Sequence, residues 1–81
     1  MGNMEPIEVT ARFDEQGIIT PLRFTWKEGI YRVESTGRRW LDDAGQHILV
    51  MVSGGRIYEL NFKRDEGRWY IGRAGPDRMV V

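Results

Sequence analysis

One histidine, three carboxylate pairs and ten arginines are the residues of this chain whose chemistry could go beyond packing. His47 stands alone: with no cysteine in the chain and no carboxylate at ligand spacing, one imidazole is poor material for zinc. No metal or cofactor site is expected, and His47 is placed as a strand residue beside Phe62 by cross-strand pairing. A nucleophilic triad would have to use Ser35 or Ser53, and neither sits in a strand-to-helix elbow.

The pairs Asp14-Glu15, Asp42-Asp43 and Asp65-Glu66 could do acid/base work if one carboxyl of a pair were desolvated. All three fall in turn-forming sequence, where water keeps carboxyl groups ordinary and aspartate is a natural turn residue. Gly54, Gly55, Gly67, Gly72 and Gly75 do not spell a dinucleotide or phosphate loop followed by a helix. The expectation is a protein without catalytic activity.

The arginines carry more. Ten of the twelve basic residues are Arg, a bias suited to planar, bidentate or stacked contacts. Arg12, Arg23, Lys27, Arg32, Arg68 and Arg73 alternate with apolar neighbours, and Arg38-Arg39-Trp40 joins cations to an aromatic ring. Arginines interleaved with exposed rings are how small barrels grip single strands of nucleic acid. Solvated cations neutralised across strands by Glu8, Glu34 and Glu59 would look the same in sequence. Trp40, after two arginines and before a polar turn, is the candidate anchor, since Trp and Arg are enriched at binding hot spots. The candidate contact residues are therefore Arg23, Arg32, Arg38, Arg39 and Trp40.

These residues need a scaffold, and 81 residues suffice for one small domain. Twelve basic residues balance twelve acidic ones, which excludes a surface that is wholly a polyanion-binding field. The N-terminal MGNMEPIEV has no apolar run of signal-peptide or membrane-span length, so a soluble, cytoplasmic chain is expected. Met1–Glu5 and residues 75–81 are candidate loose ends, the latter able to add an edge strand instead.

Period-two alternation dominates the rest. In "RFTWKEGIYRVES", Leu22 before it and then Phe24, Trp26, Tyr31 and Val33 share a face. A two-residue turn at Glu28-Gly29 would pair Trp26 with Tyr31, Phe24 with Val33, Arg23 with Glu34 and Thr25 with Arg32. A turn at Gly54-Gly55 would pair Val52 with Ile57, Met51 with Tyr58 and Leu49 with Leu60. The turn at Arg64 to Gly67 brings Phe62 to Trp69 and Leu60 to Ile71. Trp26 and Trp69 fall on core faces.

Strands are expected at 6–13, 20–27, 30–39, 46–53, 56–63 and 68–74. The fold class is all-β: a six-stranded antiparallel meander closing into a small SH3-like barrel or sandwich, with at most one short helical turn near 39–45.

The pieces "P-x-x-V-x-x-x-F-D-x-x-G" (Pro6 to Gly17), "P-L-R-F-T-W-x-x-x-x-Y-R-V" (Pro21 to Val33), "Y-E-L" (Tyr58 to Leu60) and "G-R-W-Y-I-x-R" (Gly67 to Arg73) together cover most of the chain. They resemble a family of small bacterial β-rich domains of unknown function, found alone or attached to Y-family-polymerase-like proteins of mutagenesis cassettes. That resemblance implies a bacterial, cytoplasmic setting linked to DNA-damage tolerance, and it implies no functional residue.

Two kinds of function follow. A binding or protein-interaction module needs only an uncovered patch or a free strand edge, so a protein partner is the leading expectation. Binding of single-stranded nucleic acid by the arginine face is the alternative, and it needs those cations to cluster and to escape their glutamates.

Overall fold

The computed structural model describes residues 4–73. Among these, six antiparallel strands follow one another round a closed barrel: β1 (Glu5–Phe13), β2 (Ile19–Trp26), β3 (Gly29–Asp42), β4 (Gly45–Val52), β5 (Ile57–Lys63) and β6 (Arg68–Arg73). The described residues contain no helix, so none that is long and apolar enough to cross a membrane. Glu5 is the first residue of β1, and the expectation for 75–81 lies outside the described residues.

Two strands make closure possible. β1 pairs with β6 through Glu5–Ile7 and with β2 from Glu8 onward. β3 pairs with β2 through Gly29–Arg32 and with β4 from Val33 onward. Each passes from one sheet to the other. β3 bends with the help of irregularities at Val33/Ser35 and Thr36/Arg39, as bulges allow.

Inside lie Ile19, Phe24, Ile48, Val50, Val52, Leu60, Trp69 and Ile71. Ile48, Val50 and Val52 supply the inward face of β4, the alternation expected of a strand in a small closed barrel. Aromatic rings close both ends. Phe24 stacks on Tyr31 at 5.2 Å and Tyr58 stands edge-on to both, while Phe62 packs on Trp69 at 4.9 Å with Phe13 against it. Trp26 is half-buried, and its indole N–H donates to Glu5 Oε1. Phe24 is 1 % exposed, so truncating it to Ala would cost about 3–5 kcal/mol.

The β5–β6 hairpin has the expected pairs, Phe62 with Trp69 and Leu60 with Ile71. Three other local expectations are corrected. The β2–β3 turn is Lys27-Glu28, with both residues at left-handed φ of 48° and 62°, and Gly29 is already paired with Trp26. This type I′-like geometry matches strand twist. It moves the register by two, which keeps every side chain on its face but changes every partner. Phe24 meets Tyr31, Thr25 meets Ile30 and Arg23 meets Arg32 instead of Glu34.

The β4–β5 loop holds three residues, Ser53–Gly55, with Val52 donating to the Arg56 carbonyl. One extra residue shifts the register by one, so Ile48 opposes Leu60, Val50 opposes Tyr58, and His47 opposes Asn61 instead of Phe62.

Residues 39–45 form no helical turn. β3 runs on to Asp42, and Asp43-Ala44 turn the chain back to Gly45, which pairs with Asp42. The Asp42 side chain accepts the Ala44 N–H at 2.8 Å, a local bond that favours a turn over a helix. Gly45 is required there: its φ is 121°, and a Cβ would run into the carbonyl oxygen of Phe62.

Candidate functional site

The outer face of β1–β2–β3 carries a row of side chains, Thr10, Arg23 and Arg32, paired one to the next across the three strands. Directly opposed residues of an antiparallel pair stand about 4.5–5.5 Å apart at Cα. Two guanidinium groups so placed repel one another, and like charges directly opposite destabilise a ladder. Among the described residues neither arginine is in an ion pair, although Glu8 lines a hollow with Arg23 and Glu34 lies two positions beyond Arg32. The ion-pair contacts among the described residues all belong to His47, and Glu59 is one of its partners. Glu8 opposes Thr25 and forms no ion pair among the described residues.

Leu22 belongs to this site and not to the core. The β1–β2 register slips between Thr10 and Ala11, so that Ala11 pairs with Pro21 and Thr10 with Arg23, leaving Leu22 as the extra residue. Proline has no N–H for the ladder and favours such a break. Leu22 is left 45 % exposed, and Ile30, opposite Thr25 beside the strained turn, is 74 % exposed.

Two shallow hollows share Thr10 and Arg23. One, about 290 Å³, is lined by Thr10, Leu22, Arg23 and Arg32. The other, about 240 Å³, adds Glu8, Phe24, Thr25 and Ile30. The face thus reads as aliphatic, cationic, aliphatic from Leu22 through the arginine pair to Ile30. Neither Leu22 nor Ile30 is legible in the sequence as a contact residue, since strict alternation puts Leu22 inside. Pro21 is the signal that the alternation breaks there.

The structure separates the other three candidates from this pair. Arg39 is half-buried, and its Nη1 donates to the carbonyl of Ile19 at 2.6 Å. Pairing of β2 with β3 ends at Arg23 and Arg32, so Arg39 closes the unpaired stretch between Ile19 and the far part of β3. Trp40 lies flat on His47, ring centroids 4.9 Å apart and 3° from parallel, and the Arg38 guanidinium sits over its ring at 5.1 Å. The indole is engaged by the chain's own side chains.

Beneath Trp40, His47 is 6 % exposed, with Nε2 2.8 Å from Asp42 Oδ1 and Nδ1 2.6 Å from Glu59 Oε2. The hydrogen bond to His47, with a second from the Ala44 N–H, holds the Asp42 carboxyl below the ordinary aspartate range. Next to His47, the buried Asn61 donates to the carbonyls of Ala44 and Gln46 and pins the β3–β4 turn. No buried side-chain N or O among the described residues lacks a partner. This cluster is satisfied within itself, as a structural network is.

No family model matches the chain, and no curated protein or solved structure matches it either.

Proposed function

We propose that this barrel is a binding module with no chemistry of its own, and that it holds a negatively charged protein partner on the outer face of β1–β2–β3. The observation that carries this is the direct opposition of Arg23 and Arg32, neither of which is in an ion pair among the described residues. A ladder position that favours opposite charge is occupied by two cations, a cost that an anionic ligand would reverse. The strained Lys27-Glu28 turn at the end of the same hairpin adds to it, because residues held at left-handed φ cluster at functional sites.

Strand addition could use only the stretch where β2 and β3 do not pair, since elsewhere closure gives the strands neighbours on both sides. The place of the module in the cytoplasm, as an accessory in bacterial DNA-damage tolerance, is part of this proposal and rests on the sequence resemblance alone. Single-stranded nucleic acid is the alternative, because two guanidinium groups without an ion-pair partner among the described residues also suit phosphate.

The test is a titration of isotope-labelled protein with poly-glutamate at low and at physiological salt, followed by amide shifts. Shifts confined to Thr10, Leu22, Arg23, Ile30 and Arg32, and weakened by salt, are expected. Shifts centred instead on Arg56, Arg64 or Arg68 would show that the anion prefers ordinary surface cations, and the reading would be abandoned.

A further inference from the structure

From the composition of the face, we infer that the ligand is a short extended peptide segment in which one acidic side chain is flanked on each side by an aliphatic residue, the one facing Ile30 two positions away. This rests on the proposed function and names the chemistry that the face selects. Arg23 and Arg32 start from one opposed position of the ladder on the outer face, so one carboxylate, with two oxygens and several lone pairs, is placed to accept from both forks.

Ile30 is two residues from Arg32 along β3 on the same face, so its side chain lies about 6.6–7 Å away. An extended peptide laid along the stripe has the same spacing between alternate side chains. Its carboxylate then reaches the arginines while its neighbour two positions away covers Ile30, and the bulged Leu22, directly before Arg23, offers exposed aliphatic surface to the other flank.

Nucleic acid fits this face less well for two reasons. A phosphate backbone needs cations repeated along its track, whereas this face has one cationic point, with Glu8 lining the hollow of Arg23 and Ile30 and Glu34 two positions beyond Arg32. Bases need exposed rings to stack on. The aromatic residues of this hairpin, Phe24, Trp26 and Tyr31, pack on the core side, and Trp40 on the β3–β4 face is already stacked on His47.

The test compares three ligands by fluorescence titration of the full chain at low and physiological salt. They are a synthetic peptide with one glutamate flanked at i−2 and i+2 by leucine, the same peptide with serine for both leucines, and an oligothymidylate. The leucine peptide should bind at least about ten-fold tighter than the serine peptide, the effect of burying part of two leucine side chains.

Arg23→Gln or Arg32→Gln should weaken it about ten-fold, as loss of a charge-assisted bond does. Ile30→Thr, at an exposed position that does not threaten the fold, should remove most of the leucine advantage. Equal binding of the two peptides, or tighter binding of oligothymidylate through the same arginines, would overturn this inference and leave the proposed face standing. If no ligand binds and neither arginine variant changes anything, the face itself is wrong and both readings fall.

Discussion

The Arg39 guanidinium donates to the Ile19 carbonyl at 2.6 Å, across the stretch where β2 and β3 do not pair. A residue that in sequence belongs with the contact arginines is here a brace in the barrel wall. Its deletion leaves a partly buried acceptor without a partner, which costs about 1–3 kcal/mol. Arg39→Ala should therefore lower the urea midpoint without changing its slope, while affinity for an acidic peptide, corrected for the folded fraction, stays the same. Arg39→Lys should fall between wild type and Ala.

Arg32→Glu should act in the opposite sense on stability. It turns a repulsive cross-strand pair into an attractive one, worth about 0.5–1 kcal/mol. Thermal denaturation should show a rise in Tm, reduced by added salt because the pair is exposed. The same variant should lose binding to acidic peptides. A fall in stability would mean that the two guanidinium groups are better accommodated than their opposition suggests.

The β2–β3 turn offers a local gain. Glu28 sits at φ 62°, where a non-glycine residue is strained by about 1–2 kcal/mol. Glycine relieves that strain and adds unfolded-state entropy of about 0.4–1 kcal/mol. Glu28→Gly should thus stabilise by roughly 0.5–1 kcal/mol, read from chemical denaturation.

Acid should loosen the His47 cluster. The folded-state pKa of Asp42 lies below the ordinary value of 3.8, because His47 and then the Ala44 N–H bond to the ionised form. A depressed carboxylate stabilises the fold above its unfolded pKa and ceases to do so as pH falls through the lower folded value. Asp14 behaves alike, its carboxyl held down chiefly by the Ile18 N–H. Melting profiles across this acid range should be steeper for wild type than for Asp42→Asn or Asp14→Asn. Parallel profiles would remove these carboxylates as the cause.

How much of this could be read from the chain alone depends on parity and on loop length. Alternation places Phe24, Trp26, Tyr31 and Val33 on one face whether the turn is at Lys27-Glu28 or Glu28-Gly29, because the two registers differ by an even number. The face survives, but the partner of Arg23 changes from Glu34 to Arg32, and with it the difference between a neutral surface and a cationic site. At Ser53–Gly55 the third loop residue is odd, so His47 meets Asn61 and not Phe62.

Leu22 was hidden by a bulge, which no periodic pattern marks. Arg39 was hidden by a gap between strands, which exists only once the barrel closes. Arg23 and Arg32 were legible as candidates because exposed arginines on an alternating strand can be seen in sequence. Their union at one ladder position could not.

The handover of β1 from β2 to β6 has a consequence for how the chain reaches its fold. Every pairing but one is a hairpin between strands adjacent in sequence. The exception, Glu5–Ile7 against Trp69–Ile71, joins the two ends of the described chain. Such a contact closes the longest loop and is the last for which loop-closure entropy is recovered. Substitution at Ile7, which pairs with Trp69 in the closing contact, should therefore speed unfolding more than it slows folding. The hairpin bearing Arg23 and Arg32 can take shape before the barrel shuts.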